Sequence, residues 1–333
     1  MNHKKITITQ IAKEANVSIS TVSRVFNGTA LEKVGKEAKE RVEAVIRKYN
    51  YRPSIHASGL ASGKTNLIGV QMLSLARPLS NVEMLNSITE SAAQKGYNII
   101  LGISDWDAER EIESINVMLE KGIDGLIWQP VNTPNIKIAR NIQDKMHSVV
   151  WLNRDCEFGI PASCSDEIES GRLAAKYLLS QGCSRPAFVG FLHEYHTSLR
   201  LQGWKALLEE KRLGSPSLIH PFSQKHDKNY KLIQKVFSDL LRANKKNEFD
   251  GLFVSGSEIA YIANDAMNNM KGKHKNIPVI GHNMLPMYSD KYAMPTISPD
   301  NKGIGSKAVE ILMNLLEEKT VKNAFLKPSL KGA

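Results

Sequence analysis

The chain has 333 residues, 42% hydrophobic and 23% charged. These are ordinary values for a folded globular protein and exclude a disordered, collagenous or fibrous one. At roughly 100–200 residues per domain, the length points to two or three domains. The formal charge is +10, from 44 Lys/Arg and 34 Asp/Glu, and it is unevenly placed. The first 64 residues hold twelve Lys/Arg against five Asp/Glu, a net of +7; the remaining 269 carry +3. Such a concentration suits a polyanionic partner. A basic solvated face is the other reading, and the local pattern has to decide between them. No apolar run approaches the ~20 residues that span a bilayer. Met1-Asn2-His3-Lys4-Lys5 leads into polar residues, not an apolar signal core. The expectation is a cytoplasmic protein with no membrane partner. Cys156, Cys164 and Cys183 cannot build a disulfide framework and fit no zinc spacing, so no metal or cofactor is expected.

Thr7-Ile8-Thr9-Gln10 reads as a capping box opening a first helix, with Ile8, Ile11, Ala12 and Ala15 at helical spacing. Asn16, which tolerates the left-handed conformation, ends it. Ser18 is a good N-cap for a second helix to about Phe26, with Val22 and Val25 inward and Asn27-Gly28 as its stop. A third helix spans Lys36 to Tyr49, with Val42, Val45, Ile46 and Tyr49 as its apolar stripe. Two short helices joined by a tight turn, with a supporting third, make a helix-turn-helix unit. The second helix offers Ile19, Ser20, Ser23 and Arg24 to a major groove, and Arg24 suits guanine O6/N7. The alternative is a three-helix bundle with no DNA role, which leaves the +7 charge and the polar face unexplained.

Thr7 to Asn27, with Val17-Ser18-Ile19-Ser20-Thr21-Val22-Ser23-Arg24-Val25-Phe26-Asn27, resembles the headpiece of the LacI/GalR (lactose/galactose repressor) family. The resemblance implies that Ile19, Ser20 and Arg24 read bases and that Thr7, Ser23 and Asn27 touch phosphate. Ser18, Thr21 and Tyr51 complete the DNA-binding candidates in the headpiece. Gly35 stands where the family usually caps the third helix with Ser, a change worth only a few tenths of a kcal/mol. Tyr51-Arg52-Pro53-Ser54-Ile55-His56-Ala57-Ser58-Gly59-Leu60 matches the family's hinge pattern, except that Ser58 replaces its usual Arg. The expectation is a short helix that orders on DNA, with Leu60 as a minor-groove wedge. Gly59-Leu60-Ala61-Ser62-Gly63-Lys64-Thr65 ends like a phosphate-binding loop, but the required first Gly falls on Ser58.

From Thr65 the period changes. Leu67–Met72, Asn98–Gly102, Gly125–Trp128, Ser148–Leu152, Ala187–Phe191, Gly251–Val254 and Pro278–Ile280 read as buried strands. Asn81–Lys95, Ala108–Lys121, Glu167–Gln181, Ser198–Leu213 and Tyr230–Ala243 read as helices, with Gly96, Gly122, Gly182 and Gly214 just beyond four of them. Buried strands alternating with helices mean parallel sheets with right-handed crossovers. The expected fold class is α/β: a small all-α helix-turn-helix headpiece plus a two-lobed, periplasmic-binding-protein-like core with doubly wound parallel sheets. The expected divisions are a headpiece (1–52), a hinge (53–64), and an effector-binding and dimerisation core (65–333). Lobe one takes about 65–162 plus 294–325, and lobe two about 163–293. The tail from Pro295 is expected to return to lobe one as a strand and a helix, Gly303–Glu317. Ile68-Gly69-Val70, Asp124-Gly125-Leu126-Ile127, Leu199-Arg200-Leu201-Gln202-Gly203-Trp204 and Pro295-Thr296-Ile297-Ser298-Pro299-Asp300 extend the family resemblance over almost the whole chain.

In such cores a ligand binds between lobes at the carboxyl ends of strands. Asn153, Arg154, Arg200, Gly256 and Asn283 are the effector-binding candidates. Family members that bind neutral sugars often carry Asp at the positions of Asn153 and Asn283, and Asn-Asp where Gly256-Ser257 stands here. With two arginines and His282 nearby, the expectation is a sugar-derived effector of anionic type, a sugar acid or sugar phosphate. A neutral ligand contacted differently, a core that senses nothing, and structural pairing of Arg154 and Arg200 stay open. His193-Glu194-Tyr195-His196 is not a zinc motif and reads as a surface loop. Asp105, Asp107 and Glu109 suit a helix start better than a metal. Trp106, Trp128, Trp151 and Trp204 read equally as core or cleft. No nucleophile–base constellation is present, so an enzyme is not expected. A solute-binding transport protein would share the core but not the basic headpiece. The reading is a sequence-specific transcriptional regulator, acting as a repressor: a homodimer on a pseudo-palindromic double-stranded DNA operator.

Overall fold

The structure is a computed structural model. It describes residues 6–28, 30–51, 64–75, 80–131, 136–155, 158–213, 219–221, 230–244, 248–268, 277–284 and 294–332. The hinge, with Leu60, and Gly214 lie outside the described residues. The chain divides into two compact units, residues 1–66 and 67–333.

Among its described residues the smaller unit has three α-helices, α1 (Ile8–Glu14), α2 (Ile19–Asn27) and α3 (Lys36–Tyr49), with a short 3-10 turn at Leu31–Lys33. The Thr7/Gln10 capping box forms, and Asn16 takes the left-handed conformation at φ 50°. Ser18 caps α2, and Gly28 at φ 67° ends it. Gly35 caps α3 with no side-chain bond. Ile11, Ala12, Ala15, Val22, Val42, Val45 and Tyr51 form the core. Two long-range ties fix α3 on the turn. Arg41 Nε donates to the Ala15 carbonyl at 3.0 Å, and Lys48 Nζ donates to Glu14 at 2.7 Å. Tyr49, expected in the apolar stripe, is exposed; Tyr51 fills the core instead.

The larger unit has strands β1 (Leu67–Met72), β2 (Asn98–Ile103), β3 (Gly125–Trp128), β4 (Val149–Leu152), β5 (Ala162–Ser165), β6 (Pro186–Gly190), β7 (Ile219–Pro221), β8 (Gly251–Ser255), β9 (Val279–His282), β10 (Thr296–Ser298), β11 (Ala324–Leu326) and β12 (Ser329–Lys331). Its helices are α4 (Ser80–Gln94), α5 (Ala108–Glu120), α6 (Ile136–Lys145), α7 (Glu167–Ser180), α8 (Tyr195–Glu210), α9 (Tyr230–Ala243), α10 (Ser257–Asn268) and α11 (Asn301–Leu316). Sheet one runs β11-β5-β4-β3-β1-β2, and sheet two β12-β10-β9-β8-β6-β7. The two orders are the same. All pairings are parallel among the described strands except β10 with β12. Helices pack against both faces of each sheet, which is why the central strands β1, β3, β4, β6, β8 and β9 are buried almost throughout.

The chain passes between lobes at Ser165–Glu167, at Ser298–Asn301 and at Leu326–Ser329. The first two passages share one plan. β5 of sheet one feeds α7 of lobe two, and β10 of sheet two feeds α11 of lobe one. Asp166 caps α7 through the Glu169 N–H at 2.9 Å, and Asp300 caps α11 through the Gly303 N–H at 2.8 Å. Five residues beyond each cap stands a glycine in close backbone contact. A Cβ at Gly171 would collide with the Arg200 carbonyl of α8, and one at Gly305 would lie 2.5 Å from the Met84 carbonyl of α4.

Three features differ from the sequence reading. The strand after Pro295 pairs with β9 in sheet two, not with lobe one, and only α11 and β11 return to lobe one. The stretch read as a break before residue 163 contains β5, which extends sheet one to Ser165. Its short run of small residues becomes a strand only because β4 and β11 flank it. The helix expected at Ser198 starts at Tyr195, so Tyr195 and His196 lie on α8 and not in a surface loop; it ends at Glu210, with Arg212 left-handed at φ 54°. Gly96, Gly122 and Gly182 are left-handed beyond their helices. Asp107 accepts from the Glu109 and Arg110 N–H groups and caps α5. Trp128, Trp151 and Trp204 are core, whereas Trp106 is exposed.

Candidate DNA-reading face and effector cleft

On the headpiece, Ser18, Ile19 and Ser20 are exposed at the start of α2, and Thr21, Ser23 and Arg24 are half-buried one turn on. Val22 packs inward with no exposed surface. This is the amphipathic split a reading helix needs: one face anchored, the opposite face free to meet base edges. The Ser18 hydroxyl accepts from the Thr21 N–H at 3.1 Å and lies 2.7 Å from Ser20 Oγ and 2.9 Å from Thr21 Oγ1. The Ser18 and Thr21 hydroxyls therefore serve the cap first. Ile19 is nearly half exposed, at 48%. Thr7 is exposed at the start of α1, and Asn27 closes α2. Tyr51, expected at DNA, has its ring in the headpiece core, edge-on to Phe26 at 6.2 Å, and burial raises its hydroxyl pKa.

In the core, Asn153 and Asn283 occupy matching positions. Each follows a central strand, β4 or β9, in the left-handed conformation, at φ 53° and 57°. Each backbone N–H donates across at 2.7 Å to the neighbouring strand, at Ser163 or Ile297. Their roles then diverge. The Asn153 carbonyl accepts from His196 Nε2 at 2.5 Å, so the imidazole carries its proton there. The Asn283 amide donates to Ser80 Oγ at 3.0 Å and accepts from Asn301 at 3.3 Å; Asn301 also donates to Glu83 at 2.8 Å. Arg154 lies over the Tyr195 ring, 4.8 Å from its centre, and Tyr195 donates to the Asp155 carbonyl at 3.1 Å. Gly256 follows β8, beside Ser255.

Arg200, an effector-binding candidate for which structural pairing stayed open, is held by Glu167. It is buried, and its Nε and Nη2 donate to the two oxygens of Glu167 at 2.7 and 3.0 Å, with Nη1 3.4 Å from Ser255 Oγ. His282 Nε2 lies 3.3 Å from the same Glu167 carboxylate. Burial alone would raise Glu167, but Arg200 and His282 outweigh it and hold the carboxyl well below the usual range. Burial and the Arg200 charge lower His282 against the pull of Glu167. The pair is a structural ion pair whose charges balance each other. Sequence reasoning missed Glu167, His196 and Ser255, because their partners lie 33 to 55 residues away. Among the described residues, Gln71 Oε1 and Ser165 Oγ are buried without a hydrogen bond, near the ends of β1 and β5. Among the described residues no His/Cys/Asp/Glu cluster could hold a metal ion, and no helix is long and apolar enough to cross a membrane.

Residues 7–54 match the family described as bacterial regulatory proteins, lacI family, and residues 78–320 match the periplasmic binding protein domain. Over 242 residues the chain is 31% identical to catabolite control protein A of Staphylococcus epidermidis, covering 71% of this chain and 70% of that one. This chain belongs to the LacI family. The ribose operon repressor of Halalkalibacterium halodurans is 27% identical, covering 94% of this chain and 91% of its own length. The crystal structure of the lac repressor dimer bound to operator and the anti-inducer ONPF has a TM-score of 0.80 at 23% identity, covering 98% of each chain. The fold is therefore that of a LacI-family regulator, and the chain is a DNA-binding transcriptional regulator whose core is a periplasmic-binding-protein-like domain.

Proposed function

We propose that the chain is a cytoplasmic repressor that binds a pseudo-palindromic operator as a homodimer and is controlled by a sugar-derived effector between the two lobes. The observation that carries this reading is the headpiece surface: an anchored α2 that presents Ile19, Ser20 and Arg24 beside a net charge of +7 in 64 residues. Ile19 suits a thymine methyl, Arg24 suits guanine, and Thr7, Ser23 and Asn27 suit phosphate. Leu60 is proposed as the minor-groove wedge.

One headpiece reads half a site, so a palindrome needs two. A second copy has a fitting surface in lobe one. β2 is an edge strand with Leu101 and Ile103 exposed, and Val82, Trp106 and Val117 are exposed on the segments around it. An uncovered apolar edge of this kind invites pairing. For the effector, Asn153, Arg154, Gly256 and Asn283 offer polar groups at strand ends where such cores hold ligands. The Halalkalibacterium halodurans relative is named for ribose, which supports a carbohydrate. A sugar acid or sugar phosphate would meet the guanidinium groups of Arg154 and Arg200, the latter also paired with Glu167.

The test is a gel shift on palindromic DNA from the protein's own promoter region at several salt concentrations. Intact protein should prefer that DNA over a scrambled duplex, and Arg24→Ala should weaken specific binding by about 5–150-fold, from 1–3 kcal/mol per bidentate base contact. Equal affinity for both duplexes would overturn the reading. A thermal-shift screen of sugars, sugar acids and sugar phosphates then identifies the effector class. A charged hit whose shift survives in Arg154→Ala would remove Arg154 from the anionic assignment.

A further inference from the structure

The first turn of α8 is tied to lobe one by three separate contacts. His196 Nε2 donates to the Asn153 carbonyl at 2.5 Å, the Tyr195 hydroxyl donates to the Asp155 carbonyl at 3.1 Å, and the Arg154 guanidinium lies over the Tyr195 ring at 4.8 Å. Asn153, Arg154 and Asp155 follow β4 of sheet one; Tyr195 and His196 belong to lobe two. These contacts therefore bridge the lobes. On the other bridge, Asn283 of lobe two reaches Ser80 and Asn301 of lobe one through side-chain amides that do not titrate.

We propose that His196 is a latch residue for this core: its neutral ring holds the two lobes together at the Asn153 carbonyl, and charging that ring opens the cleft. The proposal rests on the reading of the cleft as the effector site and adds a regulatory input to it. The groups facing the ring come from four elements. Glu167 of α7 attracts a positive imidazole. Arg200, on α8 with His196 itself, Arg154 beyond β4 and His282 at the end of β9 oppose it. Glu194, two residues back at the cap of α8, is engaged by the Thr197 hydroxyl, and Glu167 is already bound bidentately by Arg200. A charged ring could still donate to the carbonyl. The latch is lost through the cost of one more positive charge in a closed, partly desolvated cleft. Burial, joined by the three cationic or protonatable neighbours and only partly countered by Glu167, lowers the imidazole to about 4 from 6.5. The sign follows by linkage. The closed form holds the proton less tightly than the open form, so closure is at full strength above pH 6.5. It weakens about tenfold per pH unit below that until pH 4 is approached.

The test uses full-length protein without effector, spin-labelled at exposed Lys121 in lobe one and Lys211 in lobe two and diluted with unlabelled chain. Electron–electron distances are measured between pH 7.5 and 5. The expected result is a single short distance at pH 7.5. The ratio of a longer to the short distance should be roughly tenfold higher at pH 5.5. His196→Gln, which keeps a neutral donor, should stay closed throughout, and His196→Ala should show the longer distance at every pH. Tyr195→Phe, which loses only the hydroxyl bond to Asp155, should open partly and keep the pH response. No acid-induced distance in the wild type, or the same response in His196→Gln, would overturn the latch. Either result leaves the operator and effector assays untouched, so the latch and the repressor reading fail separately.

Discussion

The two strand-to-helix passages between lobes follow one plan and are filled differently. Both have an Asp cap, a glycine five residues on, and a buried residue just after the cap that reaches across to the end of β9. At the passage into α7 that residue is Glu167, held by Arg200 and beside His282. At the passage into α11 it is Asn301, held between Glu83 and Asn283. The backbone plan tolerates a full ion pair at one passage and mostly neutral amides at the other, so the scaffold does not dictate the chemistry of its cleft. The charged passage has the greater consequence if disturbed, since a buried charge without its partner costs more than a lost amide bond.

The sharpest way to expose that difference is to remove each residue. Glu167→Ala should destabilise the core by about 3–5 kcal/mol, the cost of leaving Arg200 buried and uncompensated. Asn301→Ala should lose only about 1–2 kcal/mol. Urea unfolding of both variants measures this, and equal losses would break the contrast.

Acid provides a second probe. Glu167 is depressed in the fold, so its stabilisation is complete above the ordinary carboxylate value of 4.5 and is lost as pH falls through its own lower value. Wild-type stability should fall in that acid range, while Glu167→Gln, already weakened at neutral pH, should show a shallower acid dependence in the same unfolding assay.

A smaller effect is expected at the glycines. Gly171→Ala forces α7 off the Arg200 carbonyl and should cost about 1–3 kcal/mol or more, whereas Gly305→Ala meets the Met84 carbonyl less deeply and should cost less. Calorimetric melting temperatures rank the two. The smallest effect tests the shared plan itself. Asp166→Ala and Asp300→Ala should each lose about 1 kcal/mol of helix capping. A large inequality in denaturant midpoints would mean that the passages are not equivalent.

Local chemistry explains what was legible in advance. The headpiece helices follow from Thr7, Asn16, Ser18 and Gly28, each acting on neighbours within three or four residues. The strands β1, β3, β4 and β8 follow from continuous apolar runs. α10 was not among the expected helices, although Ile259, Ala260, Ile262, Ala263 and Ala266 recur at helical spacing and are buried. Asn153 and Asn283 were placed correctly at strand ends. Their partners, His196 and Ser80, were not, because those contacts span 43 and 203 residues.

By itself the sequence determined the family, the helix-turn-helix and the alternation of strands and helices, because caps, turns and apolar periodicity act over a few residues. Tertiary structure alone decided that β10 joins sheet two, that β5 is a strand at all, that Tyr51 is core and that Arg200 is balanced by Glu167. Strand pairing and charge burial depend on which distant segments the fold brings side by side, and no local pattern encodes that.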